Sequence, residues 1–136
     1  MRTTTQKVAM VSGAVFLLVG LLGLFVPGGM GMQVHADMEA NPRLLNLFPV
    51  NLLHNLVHLA FGVWGLLAAR TYGAALTYCR AAAVIYAVLV VLAFITPTLF
   101  GLAPIAGNDI WLHAILAAGL GYFGFIHREA TVPAAT

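Results

Sequence analysis

Residues 8–26 read VAMVSGAVFLLVGLLGLFV and stop at Pro27-Gly28-Gly29. This uncharged run decides the class of fold. The hydrocarbon core of a bilayer is ~30 Å thick and a helix rises ~1.5 Å per residue, so about 20 mostly apolar residues cross it. Three further runs meet that length. Residues 49–69 carry polar groups but no formal charge, residues 81–103 are uncharged with Pro97 near the far end, and residues 108–126 start at Asn108 or Asp109. None alternates apolar with polar, as a half-buried strand would. Helices satisfy their own backbone in lipid, so the expected architecture is an all-α bundle of four transmembrane helices. The length of 136 residues suits one domain covering the whole chain.

The composition agrees. Hydrophobic residues make up 62% of the chain and charged residues 7%, against roughly 25% charged in soluble domains. Mean hydropathy is +0.98. A water-soluble fold of this size cannot hide so much apolar surface, so the first partner is the lipid bilayer. The formal net charge of +2 is too small to argue for nucleic acid. A single cysteine, Cys79, excludes an intramolecular disulfide. It is expected on the cytoplasmic side, where thiols stay reduced, as a bystander.

The positions of the basic residues set an orientation. Arg2 and Lys7 precede the first run, Arg70 and Arg80 bracket the turn between the second and third, and Arg128 follows the fourth. Arg43 alone lies on the other side, beside Asp37 and Glu39, with Asp109. By the positive-inside rule both termini are expected in the cytoplasm and the chain in a bacterial inner membrane. Val34-His35-Ala36 faintly resembles a signal-peptidase site. The first run is long for a signal sequence and ends ten residues before Ala36, so a retained helix is expected.

The two helical hairpins look alike. His54-x-x-x-His58 in the second run answers Asp109-x-x-x-His113 in the fourth, with Pro49 and Pro104 before them and Arg70 and Arg128 after. Either the hairpins are a parallel repeat about an axis along the membrane normal, or apolar helices resemble one another by chance.

Polar side chains inside a span are costly and usually face the bundle interior. Positions i and i+4 share a helix face, so His54 and His58 stack, with Asn51 and Asn55 close by. His113 stands one turn after Asp109, which follows Asn108. By the helical rise, His54 lies roughly 8 Å and His58 roughly 14 Å beyond Pro49, and His113 about 6 Å beyond Asp109. All therefore fall in the outer half of the membrane. Three explanations compete: interhelical hydrogen bonding, a proton or quinone path, and a cofactor site. In the last, His54, His58, Asp109 and His113 ligate a transition metal, or the histidines ligate haem. His54 and His58 are separated by Asn55, Leu56 and Val57, so the H-E-x-x-H hydrolase pattern is absent. No triad, nucleophile elbow, phosphate loop or catalytic carboxylate pair appears, which points away from an enzyme.

Other features have plainer explanations. Met30, Met32, His35, Asp37 and Met38 include soft ligands suited to Cu(I), but Met30 and Met32 follow glycines beside the membrane surface. Residues 43–48 are expected in the interface or as an early start to the second span. Trp111 fits an aromatic belt, and Trp64 is expected to pack within the bundle. Gly13, Gly20, Gly23, Gly62, Gly65, Gly119, Gly121 and Gly124 are expected at close helix contacts, within the chain or against a partner or second copy.

Two stretches, LFPVNLLHNLVHLAFG at residues 47–62 and GNDIWLH at residues 107–113, resemble a family of small bacterial four-helix membrane proteins catalogued as a domain of unknown function. The resemblance runs from the first span to the fourth and omits the methionine-rich loop. It implies a four-helix fold and a site built from His54, His58, Asp109 and His113, and it implies no activity. Two functions therefore stand at this stage. One is an accessory or structural subunit of a larger membrane complex, held through glycine-rich faces. The other is a metal- or haem-binding redox protein.

Overall fold

The computed structural model describes residues 2–129. Helix α1 spans Thr4–Phe25, α2 Leu52–Ala68, α3 Tyr72–Ile95 and α4 Asn108–Gly121, the last continuing as a π-helical turn, Tyr122–Ile126. Strands β1 (Arg43–Leu44) and β2 (Phe48–Pro49) form a short antiparallel pair in the loop between α1 and α2. The chain is an all-α bundle. α1, α3 and the Asn108–Ile126 segment are long and apolar enough to cross a membrane, whereas α2 has 17 residues.

The helix ends follow from local chemistry, and they move two of the expected boundaries. Thr3 caps α1 in a capping box with Gln6, each side chain accepting the other's backbone N–H. The second span does not begin at residue 49. Pro49 lies in β2, and the helix starts at Leu52 because the Asn51 side chain accepts the His54 N–H at 2.9 Å. Residues 43–48 are not an early turn of that helix. They form β1 and a tight turn at Leu45 and Asn46, both with positive φ. The third span is shifted toward the N-terminus. Thr71 caps α3, and the helix ends at Ile95, because Thr96 precedes Pro97 and is driven out of the helical region. Arg80 and Cys79 are therefore helical residues of α3, not parts of the turn. Cys79 is buried among α3 alanines, and Arg80 donates from Nε to the Gly124 carbonyl at 2.7 Å.

α1 packs most extensively on α2, and α3 on α4, while α2 and α3 touch sparingly. The α1–α2 contact is backbone to backbone. A Cβ placed on Gly13 would meet the Leu66 nitrogen at 2.7 Å, and one on Gly65 would meet the Gly13 Cα at 2.8 Å. In lipid, packing and not water exclusion drives helix association, so small residues at such a crossing are decisive. The core holds Ala9, Ala75, Tyr78, Ala82 and Ala83 around Phe16 and Tyr86. The outward faces carry Val11, Val15 and Leu18 on α1 and Val84, Val88 and Val91 on α3. An apolar exterior over a small-residue core is the arrangement lipid accepts.

Both ends of the described chain lie at one end of the bundle. The Thr5 N–H donates to Glu129 Oε1 at 2.7 Å, and the Thr5 hydroxyl to the same oxygen at 2.9 Å. These bonds hold the Glu129 carboxyl below the usual carboxylate range, the backbone N–H contributing most. The opposite end, the loop end, is closed by residues 26–51 and 96–107.

Candidate functional site

α2 carries two kinds of polar side chain, and the fold treats them differently. The asparagines hold the loops. Asn51 Nδ2 donates to the Leu102 carbonyl at 2.8 Å, Asn55 Nδ2 to the Gly29 carbonyl at 3.0 Å, and Asn108 Nδ2 to the Leu47 carbonyl at 3.3 Å. The three asparagines thus do not join the histidines in one network. Each ties a loop-end backbone carbonyl that helix formation leaves free. Asn55 reaches Gly29 because Gly23 of α1 has no side chain where the Asn55 amide lies.

The histidines converge. His54 and His58 share a face of α2 with ring centroids 4.6 Å apart, and His113 of α4 lies 6.3 Å from His54. One ring nitrogen from each falls within 4.8 Å of the others. The side chains are buried, at 7%, 5% and 2% exposure for His54, His58 and His113. The Nδ1 atom of each has no hydrogen-bond partner among the described residues. Buried polar atoms are almost always paired, so three adjacent orphans demand a cause. Asp109, also buried, belongs to the same region but stands apart from the trio. Its Oδ2 lies 3.8 Å from His54 Nδ1, beyond hydrogen-bond range, and is itself unpartnered.

All four helices build the walls. Phe16 of α1 stacks on His58 at 5.6 Å, and Tyr86 of α3 lies 5.0 Å from His113. Phe16 and Tyr86 stack on each other at 5.5 Å. Sequence reasoning passed over both. The available signal was weak: Tyr86 is a hydroxyl-bearing ring inside the apolar third run. The histidines face a cavity of about 180 Å³, which Leu53, Val57, Phe61, Ile85 and Leu89 also line. Leu99, Ala103 and Ile105 of the second loop close its loop end.

The family model described as a domain of unknown function (DUF4383) matches residues 6–126. The chain belongs to that family. The match runs from the first turn of α1 to the end of the π-helical turn, so it includes every residue of the histidine site in this DUF4383 chain. Comparison with curated proteins and with solved structures returns no match.

The remaining candidates sit elsewhere. Met30 and Met32 are exposed on the loop, and Met38 packs its sulfur 3.8 Å from Asn41 Nδ2. Asn41 knots that loop by accepting the His35 N–H and donating back to the His35 carbonyl. Trp111 is exposed, and Trp64, partly exposed, sets its ring edge against Tyr78 at 5.1 Å.

Proposed function

We propose that the protein is a membrane metalloprotein that holds one first-row transition ion on His54, His58 and His113. The observation that carries this is the convergence of three buried imidazoles whose Nδ1 atoms lack partners. Imidazole suits Zn, Cu, Fe and Ni. Three nitrogens ~2.0–2.1 Å from one tetrahedral ion lie roughly 3.4 Å apart. Ligand atoms already within 4.8 Å reach that spacing when each moves by under about 1 Å. Three protein ligands leave a fourth position open, as in catalytic and substrate-binding metal sites.

Asp109 has a separate part. A divalent ion inside a bundle carries a heavy desolvation cost, and an adjacent carboxylate offsets one of its charges. The cavity supports an ion better than a haem macrocycle. Its volume of about 180 Å³ is below the ~300–1,000 Å³ usual for cofactor pockets. The distribution of basic residues supports a loop end that faces away from the cytoplasm of an inner membrane, and with it a site in the outer half.

A role as an accessory or structural subunit rests on the glycine-rich faces. Gly13, Gly20, Gly23, Gly62 and Gly65 are used between α1 and α2, leaving Gly119 with open space around it. That surface supports a partner less strongly than the orphaned nitrogens support an ion.

The test is metal analysis of protein purified in detergent, after anaerobic loading in turn with Zn(II), Cu(I), Cu(II), Fe(II) and Ni(II). About one equivalent of one ion, resistant to a weak chelator and lost in His58→Ala but not in His127→Ala, is expected. Absence of stoichiometric binding for every ion, with the protein folded by circular dichroism, overturns the proposal.

A further inference from the structure

The cavity beside the histidines has a second property that an ion does not explain. It is too large for the ion alone, and its access is lateral. At the loop end, Ala103 and Ile105 are buried, and Val50 and Asn51 lie buried beneath the first loop. Toward the side, the rim is Val57 of α2 and Ile85 of α3, which are 41% and 39% exposed. These belong to the apolar outward surface, where α2 and α3 touch sparingly. A solute from water meets a closed loop end, while a solute dissolved in the bilayer meets an opening.

The contents of the cavity narrow the ligand class. Its exposed wall is almost wholly apolar, and the unpaired Nδ1 atoms of the three histidines are buried behind it, so the ligand is apolar and a polar group on it pairs with an imidazole only after that ring turns. An apolar cavity of about 150 Å³ accommodates a benzene-sized ring, and this one measures about 180 Å³. Phe61 and Tyr86, 5.7 Å apart between centroids, offer aromatic faces and edges to such a ring. A phospholipid acyl chain would fit the walls and leave the imidazole nitrogens unpaired. A ring oxygen would pair with one of them once its imidazole rotates toward the cavity.

We propose that this cavity binds the single-ring headgroup of a lipid-borne quinone or quinol, which enters from the bilayer between Val57 and Ile85 and leaves its tail in lipid. The ring oxygen lies against His54, His58 or His113. With an ion present it takes the open ligand position, and without one it pairs with an imidazole directly. The inference rests on the proposed metal site only in sharing those three side chains.

The experiment uses the full chain in nanodiscs and an alkyl-tailed benzoquinone as probe, titrated against metal-loaded and metal-free protein. Metal content is measured in parallel. Saturable binding of about one probe per chain is expected, weakened at least tenfold by Val57→Trp, which fills the opening and leaves all three histidines in the chain, and by His113→Ala. Ile85→Trp replaces Val57→Trp if the latter does not fold. Metal content should stay unchanged in the tryptophan variants. Probe binding without any metal would sink the metalloprotein reading and leave this one standing. Metal binding without probe binding would do the reverse. Binding indifferent to both the tryptophan and the histidine substitutions overturns the proposal. So does equal competition by the matching alkane, which would make the cavity an acyl-chain groove.

Discussion

The two faces of α2 make opposite use of polarity in the same stretch of membrane. On the face toward α1 and the loops, Asn51 and Asn55 are fully buried and donate to the Leu102 and Gly29 carbonyls. Toward the bundle interior, between Phe16 of α1 and His113 of α4, His54 and His58 are buried with unpaired Nδ1 atoms. The asparagine amide N–H groups are spent on loop carbonyls, with Asn55 Oδ1 left without a partner, whereas the histidines bring three unpaired nitrogens together. Polarity inside a membrane protein therefore does not by itself mark a site. What distinguishes one is polarity that the fold has brought together and not consumed.

The largest effect should come from the face toward α1. Gly13→Leu drives a side chain into the α2 backbone, where even a Cβ would sit 2.7 Å from the Leu66 nitrogen. Overpacking of this kind commonly costs ~1–3 kcal/mol, and more where backbone must separate. Loss of a monodisperse species on size exclusion is expected; a variant as stable as the parent would show that the α1–α2 contact is not close.

Next come the histidines. His58→Gln, which keeps most of the buried volume, should lower metal affinity by well over tenfold and leave the metal-free protein's thermal midpoint near the parent's, since no protein hydrogen bond is lost at Nδ1. A metal-free protein that unfolds many degrees earlier would instead make His58 structural glue.

Asn55→Ala should show the reverse pattern. It frees the Gly29 carbonyl, and interhelical hydrogen bonds in membranes average ~0.6 kcal/mol with a maximum near 1.7. A fall of a few degrees in midpoint with one ion still bound is expected. If Asn55→Ala abolished metal binding with the fold intact, the division between the two faces would fail.

The smallest effect lies at the far end. The Glu129 carboxyl is held below its ordinary range chiefly by the Thr5 N–H. A depressed carboxylate stabilises the fold above its unfolded value, and that contribution disappears as pH falls through the folded one. Acidification into and below the ordinary carboxylate range should therefore loosen the start of α1, seen as faster amide exchange at Thr5, with metal content measured at neutral pH unaffected by Glu129→Gln. Unchanged Thr5 exchange in Glu129→Gln would remove this tie from the account.

Much of this was legible in one dimension. Four apolar runs state four helices, because a bilayer demands both the length and the satisfied backbone. The helical period alone puts His54 and His58 on one face. Boundaries were less legible. The apolar run at residues 81–103 hides the end of α3 at Ile95, since Pro97 stops a helix without changing hydropathy. The start of α3 at Tyr72 was masked by Arg80, which looks like a loop residue until Gly124 supplies its acceptor.

What the tertiary structure alone decided was who meets whom across helices. His113 joins His54 and His58 from more than fifty residues away, and Phe16 and Tyr86 enter the site from two other helices. The physical reason is the solvent. In water, a helix's apolar stripe announces which face turns inward. In lipid, helices such as α1 and α3 are apolar all round, and their rotation is set by where glycines and alanines let backbones approach. Composition and period determined that there would be a bundle with histidines inside it; only packing decided that three of them would share one cavity, and that the asparagines beside them would not.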